Sequence, residues 1–224
     1  MCKGVFYVGL DLGQSRDHTA IAVVERRNGR SMVRYLERVA LGTTYPRVVA
    51  RVRKLVRSEA LRGRCAVVAD GTGMGAPVVD LLRASRLGCE VTPVTITGGR
   101  RESRRPAGWS VPKWVLIGGL RASLERGEVR IARRMRDTGT LVRELGDVRM
   151  TAGRAGRVRI GADGYGEHDD LAIALALACW GAKKQEKRKG DMRLPVPCYY
   201  STTSHSFLWP LPDPFQLRQR SSLL

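Results

Sequence analysis

The chain has 224 residues, 43% hydrophobic and 27% charged, a balance typical of one globular domain with at most a small appendage. Its 40 Lys and Arg against 21 Asp and Glu give a formal charge of +19, which predicts a polyanionic partner such as nucleic acid. Five scattered cysteines argue against a disulfide framework or a zinc site, and no apolar run reaches the roughly 20 residues of a membrane span. We therefore expect a cytoplasmic protein without a membrane segment.

The first 40 residues predict a three-stranded antiparallel meander. The runs VFYVGLDL, TAIAVVERR and SMVRYLERVAL are typical of strands, and the Asn-Gly pair in RNGR predicts a tight turn between the second and third. The next segment, YPRVVARVRKLVRSEALRG, has Val and Leu at helical spacing, and the fourth strand, RCAVVAD, follows it. A right-handed crossover would place this strand parallel to the first.

The middle of the chain continues the alternation of helices and strands. A helix in GAPVVDLLRASRLG precedes a fifth strand, EVTPVTIT, and residues 98–108, GGRRESRRPAG, predict a basic loop. The segment VPKWVLIGGLRASLERG predicts a helix with Pro112 at its first position. A short strand, a helix near TLVRELGDV and a hairpin in RMTAGRAGRVRIG lead to the apolar helix of HDDLAIALALACW. The order predicts an α/β fold with a mixed five-stranded sheet flanked by helices.

A change of composition divides the chain into two parts. From residue 183 onward, charged residues, Ser, Thr and five prolines follow no period, which is typical of a disordered segment. We therefore expect a folded domain over residues 1–182 and a disordered basic tail over residues 183–224.

Acidic residues are predicted to converge at one edge of the sheet. The first strand ends on Asp11 and the fourth on Asp70, and parallel neighbours about 4.8 Å apart would present both carboxylates side by side. Asp169 and Asp170 open the last helix and would complete the cluster, although an acid there is also a natural N-cap. Converging carboxylates repel one another unless divalent cations neutralise them, and oxygen ligands suit Mg²⁺ or Mn²⁺. Two such ions can promote phosphodiester hydrolysis.

Four segments, in order, resemble the nuclease domain of the large subunit of the DNA-packaging terminase of tailed phages, over about residues 4–182. They are VGLDLGQSRDHTAIAVV, AVVADGTGMGAPVVDLL, VPKWVLIGGLRASLERGEVRI followed by LVRELGDV, and HDDLAIALALA. The resemblance implies a ribonuclease H-like fold and a metal-dependent endonuclease that cuts concatemeric viral DNA. It also implies metal ligands at Asp11, Asp17, Asp70 and Asp170, with Asp169 beside them, and catalytic roles for Asp11, Asp70 and Asp170.

The chain departs from the family pattern at two points. Ile173 stands one helical turn after Asp170, where related resolvases and many terminases carry another acid, so the second metal site is expected to be weak or differently built. The motif G-x-x-x-x-G-K-[ST] does not occur, so a packaging ATPase is expected on a separate chain. The resemblance further implies double-stranded DNA, a small terminase subunit and a portal as partners, in the host cytoplasm if the protein is viral.

Basic residues are predicted to contact DNA phosphates. They are Arg100, Arg101, Arg104 and Arg105 in the basic loop, and Lys113, which matches a lysine of the family motif but is equally typical of a solvated first helical turn. His18 and His168 flank acids, and both are more typical of hydrogen-bonded edge residues than of groups that activate water.

Three other functions are compatible with parts of the pattern. The GLDLG motif also occurs in sugar kinases and other actin-like ATPases, but their two domains need a much longer chain. A non-catalytic DNA-binding subunit would account for the charge but not for four acids at matching positions. A Holliday-junction resolvase-like nuclease would share both the fold and the metal chemistry.

Overall fold

The structure is a computed structural model that describes residues 4–13, 17–73, 75–153, 157–162 and 169–191. Its elements in chain order are β1 (Val5–Asp11), β2 (Ala20–Arg27), β3 (Arg30–Arg38), α1 (Tyr45–Val56), β4 (Cys65–Asp70), α2 (Gly75–Ala84), β5 (Glu90–Thr97), β6 (Ser103–Arg105), β7 (Gly108–Pro112), α3 (Lys113–Glu125), β8 (Val129–Arg130), α4 (Thr138–Asp147), β9 (Val148–Gly153), β10 (Arg157–Ala162) and α5 (Asp170–Asp191).

The main sheet has the strand order β6-β7-β5-β4-β1-β2-β3-β8. Its centre contains the five predicted strands: β1, β2 and β3 form the antiparallel meander, and β4 is parallel to β1, as predicted. Asn28 and Gly29 both adopt positive φ, 49° and 73°, as a tight hairpin turn requires. The mixed sheet is confirmed, and β6, β7 and β8 extend it to eight strands. The predicted hairpin is formed by β9 and β10 as a separate pair, and its tip lies outside the described residues.

Helices cover both faces of the sheet. Phe6, Val8 and Leu10 of β1 pack in the same apolar cluster as α1 and α2, while Tyr7 packs in the cluster formed with α3, α4 and α5. At Gly9 a Cβ atom would lie 1.9 Å from the Ala174 carbonyl oxygen, so α5 lies directly against β1. Because side chains alternate along a strand, Asp11 faces the same side as Tyr7 and Gly9, which is the side of α5.

The basic loop and the start of α3 differ from prediction. Residues 103–105 form the edge strand β6, which pairs with β7, so only part of the segment 98–108 is irregular. Pro112 is still paired with Thr97 at the end of β7 and has an extended backbone, with ψ at 139°. Pro112 is therefore the N-cap of α3, and Lys113 is the first helical residue.

The predicted domain boundary after Ala182 falls inside α5. This helix continues to Asp191 because its later side chains still contact the sheet: Glu186 forms an ion pair with Arg26 at 2.8 Å, and Gln185 accepts a hydrogen bond from the Tyr7 hydroxyl at 3.2 Å. The rest of the predicted tail, residues 192–224, lies outside the described residues. Among the helices that the structure describes, none is long and apolar enough to cross a membrane.

Candidate active site

One transverse row of the sheet brings charged residues together under the start of α5. Asp11 pairs with Ala20 on β2, and Ala20 pairs with Arg38 on β3. On the other side, Leu10 lies beside Ala69, so the next residues in the parallel register are Asp11 and Asp70. Directly paired residues point to the same face of a sheet, so Asp11, Asp70 and Arg38 all lie on the side of α5.

Helix α5 brings two further acids to this row. Asp170 is its first residue and is 7% exposed, and the main-chain oxygen of Asp169 accepts the Ile173 N–H at 2.9 Å. Burial raises the pKa of Asp11 well above its usual range, and the negative charges of Asp70, Asp170 and Asp169 raise it further. Four of the predicted ligands are therefore close enough to repel one another.

Asp70 is held by the turn that follows β4. Its Oδ1 accepts hydrogen bonds from the Thr72 N–H at 2.8 Å and the Thr72 hydroxyl at 2.5 Å, while the Thr72 hydroxyl oxygen accepts the Ile96 N–H at 2.9 Å. Burial raises the pKa of Asp70, and the two bonds from Thr72 and the charge of Lys113 oppose that rise. These hydrogen bonds use only Oδ1, so within the described residues Oδ2 has no hydrogen-bond partner.

Lys113 lies inside the acidic cluster. Its Nζ is 2.5 Å from Asp169 Oδ2, and its charge opposes the rise in the pKa values of both Asp11 and Asp70. This position follows from β7, which is parallel to β5 and delivers the first residue of α3 to the edge of the sheet where β4 ends. Lys113 is thus an internal counter-charge to the acids.

Two residues that the sequence analysis missed complete the surroundings of Asp170. Arg38 Nη2 donates to Asp170 Oδ2 at 3.0 Å and lies 3.9 Å from Glu144 Oε1. Glu144 is 5% exposed, and its Oε2 accepts the Ala172 N–H at 2.9 Å. Burial raises the pKa of Glu144 to about 7, although the Ala172 amide and Arg38 stabilise its charged form. Glu144, from α4, therefore supplies a cap to α5 that was expected from Asp169 or Asp170.

The sequence contains a signal for Glu144. Glu144 lies three residues after Leu141, on the buried stripe of α4, and a charged residue in such a stripe requires a polar partner. Ile173, by contrast, is 3% exposed and packs in the apolar core. The additional acid next to Asp170 is therefore contributed by α4.

The other predicted residues lie outside the cluster. Asp17 is exposed in the loop after β1, and it is not among the charges that shift the pKa of Asp11. His18 Nδ1 hydrogen-bonds with the Val39 carbonyl oxygen at 2.9 Å, which confirms its interpretation as a hydrogen-bonded edge residue. His168 lies outside the described residues.

The arginines of the basic segment lie along the β6 edge of the sheet. Arg104 pairs with Trp109, Trp109 with Val94, and Val94 with Asp70, which places Arg104 three strand spacings, about 14 Å, from Asp70. Arg104 and Arg105 are exposed, and no described residue forms a hydrogen bond or an ion pair with either side chain. Both line a cavity together with Lys184. Arg100 and Arg101 are exposed just beyond the end of β5.

The acidic cluster has the donor chemistry that a divalent cation of the Mg²⁺ type prefers, since its ligands would all be carboxylate oxygens. The repulsion that raises the pKa of Asp11 is also the repulsion that a bound cation would remove. Among the described residues, no three His, Cys, Asp or Glu side chains already have a metal-binding arrangement.

Comparisons with known proteins identify relatives over most of the described region. Residues 8–180 match the family model of the terminase RNaseH-like domain. The chain is similar to the large terminase nuclease of thermophilic phage G20c with bound magnesium, at 27% identity and a TM-score of 0.60 over 80% of this chain and 82% of that one. It is also similar to the large terminase nuclease domain of Thermus phage P74-26, at 26% identity and a TM-score of 0.56 over 78% of each chain.

A more distant structure shares only the fold. The manganese-soaked terminase nuclease domain of human cytomegalovirus is 10% identical, with a TM-score of 0.52 over 80% of this chain and 83% of that one. No curated protein matches the chain. The expected ribonuclease H-like fold is confirmed.

Proposed function

Since the chain belongs to the terminase RNaseH-like domain family, we propose that it is a metal-dependent endonuclease that cuts concatemeric viral DNA during genome packaging. The observation that carries this proposal is the convergence of Asp11, Asp70 and Asp170 on one face of the sheet, where burial and mutual repulsion raise the pKa of Asp11. A group of buried carboxylates that repel one another, in this fold, is typical of a site for divalent metal ions.

Asp11, Asp70 and Asp170 would hold two Mg²⁺ or Mn²⁺ ions, with Asp169 at the margin of the site. The related G20c nuclease has structures with bound magnesium and with bound cobalt, and the cytomegalovirus domain was soaked with manganese. Two such ions, when bound, activate a water molecule and stabilise the leaving oxygen in phosphodiester hydrolysis. The structure supports a secondary role for Asp17, which is exposed and outside the cluster.

The substrate would be double-stranded DNA, whose phosphates Arg100, Arg101, Arg104 and Arg105 would contact. Arg104 and Arg105 are exposed cations without a protein partner among the described residues, and guanidinium groups pair well with phosphate. Lys113 is paired with Asp169, and its positive charge would balance the acids. It would also contact the DNA phosphate nearest the site. A packaging ATPase, a small terminase subunit and a portal would be its partners in the host cytoplasm.

The family match favours this function over the other three. It covers both the meander that opens the chain and the start of α5, whereas a kinase-like ATPase would share only the opening motif. A non-catalytic DNA-binding subunit does not require buried carboxylates that repel one another. A resolvase-like nuclease would use the same acids, and the substrate assay separates it from a terminase: preference for four-way junctions over linear duplex would favour the resolvase.

The test is the nicking of supercoiled plasmid DNA by the purified chain. We expect activity with Mg²⁺ or Mn²⁺, little with Ca²⁺, and none with excess chelator. Asp11→Asn and Asp70→Asn should abolish nicking, because each removes a proposed ligand from the cluster. Asp80→Asn is the matched control, since the Asp80 side chain is 78% exposed on α2, on the other side of the sheet. Robust nicking in chelator, or active Asp11 and Asp70 variants, would refute the proposal.

A further inference from the structure

Arg38 is shared between two buried carboxylates. Its Nη2 is 3.0 Å from Asp170 Oδ2 and 3.9 Å from Glu144 Oε1, and the two acids are 7% and 5% exposed. Within the described residues, neither Arg38 Nε nor Glu144 Oε1 has a hydrogen-bond partner, although both atoms are buried. Buried polar atoms without a hydrogen-bond partner lower the stability of the fold, so an arrangement that contains them calls for a functional explanation.

The charges of this group decide how Asp170 can act. An arginine that contacted Asp170 alone would neutralise it and would oppose the approach of a divalent cation. Glu144 supplies a second negative charge to the same guanidinium group, so the Arg38–Glu144 pair is close to neutral overall. Asp170 is then held in place without losing its negative charge to Arg38.

Glu144 also fixes the helix that carries Asp170. Its Oε2 accepts the Ala172 N–H at 2.9 Å, two residues beyond Asp170. One carboxylate from α4 thus contacts both the first turn of α5 and, through Arg38, the side chain of Asp170. Partners of this kind behind a metal ligand orient the ligand and set its affinity for the metal.

We propose that Glu144 is a positioning residue of the metal site, which balances the charge of Arg38 and holds the start of α5 so that Asp170 stays available to a divalent cation. This inference rests on the proposed function, because it assumes that Asp170 binds metal. Glu144 itself contacts neither the metal nor DNA in this proposal.

The test is the affinity of the chain for Mn²⁺ alone, measured by isothermal titration calorimetry without DNA at pH 8, above the pKa of Glu144, where its carboxylate is charged. Glu144→Gln keeps an oxygen that can accept the Ala172 N–H but removes the negative charge. We expect its dissociation constant for Mn²⁺ to rise by about 10- to 100-fold, the usual effect of losing a partner of a metal ligand. At pH 5, where the raised pKa keeps Glu144 largely protonated, the melting temperature of the variant without metal should match that of the wild type, because the amide oxygen still caps α5. If the variant does not fold, Glu144→Asp tests the position of the charge instead: it keeps the negative charge but withdraws it from Arg38, and an unchanged Mn²⁺ affinity would then overturn the inference.

Glu37→Gln is the matched control. Glu37 is also buried, at 2% exposure, and also paired with an arginine, Arg51, while the Tyr35 hydroxyl donates to it at 2.6 Å. Its register partner Ile21 packs in the cluster beneath α1, so Glu37 lies on the other face of the sheet. Its substitution should leave the Mn²⁺ affinity unchanged.

A double variant separates positioning from helix capping. If Glu144 acts by balancing Arg38, then adding Arg38→Gln to Glu144→Gln should recover most of the lost Mn²⁺ affinity. Wild-type affinity in Glu144→Gln would overturn the inference and leave Glu144 as a cap only. A double variant as weak as the single one would also overturn it, because Glu144 would then act without Arg38. If the wild-type chain binds no Mn²⁺, the proposed function itself fails, which is a different outcome from either of these.

Discussion

The position of bound DNA can be tested by replacing Arg104 and Arg105 together with alanine. Both side chains are exposed on the edge strand β6, and neither has a protein partner among the described residues. The register of the sheet places Arg104 about 14 Å from Asp70, which equals roughly four base-pair steps measured along the axis of B-form DNA. We therefore expect both guanidinium groups to contact the backbone of a duplex bound at the acidic cluster.

The size of the effect follows from counterion release. Each phosphate contact contributes about 0.9 to the slope of log affinity against log salt concentration, so losing two contacts should make the slope shallower by about 1.8. Between 50 and 200 mM salt this difference corresponds to roughly a 12-fold change in relative affinity. The deficit of the variant should be largest at low salt and should shrink as the salt concentration rises.

The assay is fluorescence anisotropy with a labelled blunt duplex in excess chelator, so that binding is measured without cleavage. The matched control is Arg47→Ala with Arg53→Ala, which removes the same charge from exposed positions on α1, on the other face of the sheet. We expect the control to keep the wild-type slope. Equal slope changes in both double variants would refute a specific role for β6, and no change in either would place the DNA elsewhere.

Three further outcomes are expected. Asp170→Asn should abolish Mg²⁺-dependent nicking while the circular dichroism spectrum stays native, whereas Asp169→Asn should retain part of the activity. A fully active Asp170 variant would mean that Asp170 serves only as the ion-pair partner of Arg38. Gly9→Ala should lower the free energy of unfolding, measured by urea titration, by about 1–3 kcal/mol or more, because the added Cβ would lie 1.9 Å from a carbonyl oxygen of α5. Gly118→Ala is the control and should not destabilise the chain, because a Cβ atom there has no neighbour within 4 Å. In chelator, the free energy of unfolding of the wild type should fall as pH rises from about 4.5 to about 7, because the raised pKa of Glu144 lets the folded chain keep a proton that the unfolded chain loses. Glu144→Gln should remove up to about 3 kcal/mol of this fall between pH 5 and pH 8. Parallel curves of unfolding free energy against pH for the wild type and the variant would contradict the assignment to Glu144.

The sequence by itself was sufficient to locate the acids that end strands or begin the last helix. Asp11 and Asp70 each follow a short apolar run, and the right-handed crossover between the two strands makes the strands parallel neighbours. Both features are local or follow from chain connectivity, so pattern and spacing contain them. The same holds for Asp170, because residues 171–180 form an uninterrupted apolar run and the acid directly before that run is visible in the sequence.

The partners of those acids depended on the tertiary structure. Lys113 reaches Asp169 because β7, a strand that the sequence pattern does not predict, delivers α3 to the edge of the sheet. Arg38 and Glu144 meet at Asp170 from a strand and a helix more than a hundred residues apart in sequence, and neither belongs to a motif. Periodicity predicts which face of its own element a side chain occupies, but not which distant element packs there. Packing of α4 and α5 on the sheet therefore decided which charges surround Asp170, and the sequence decided only that Asp170 would stand at that edge.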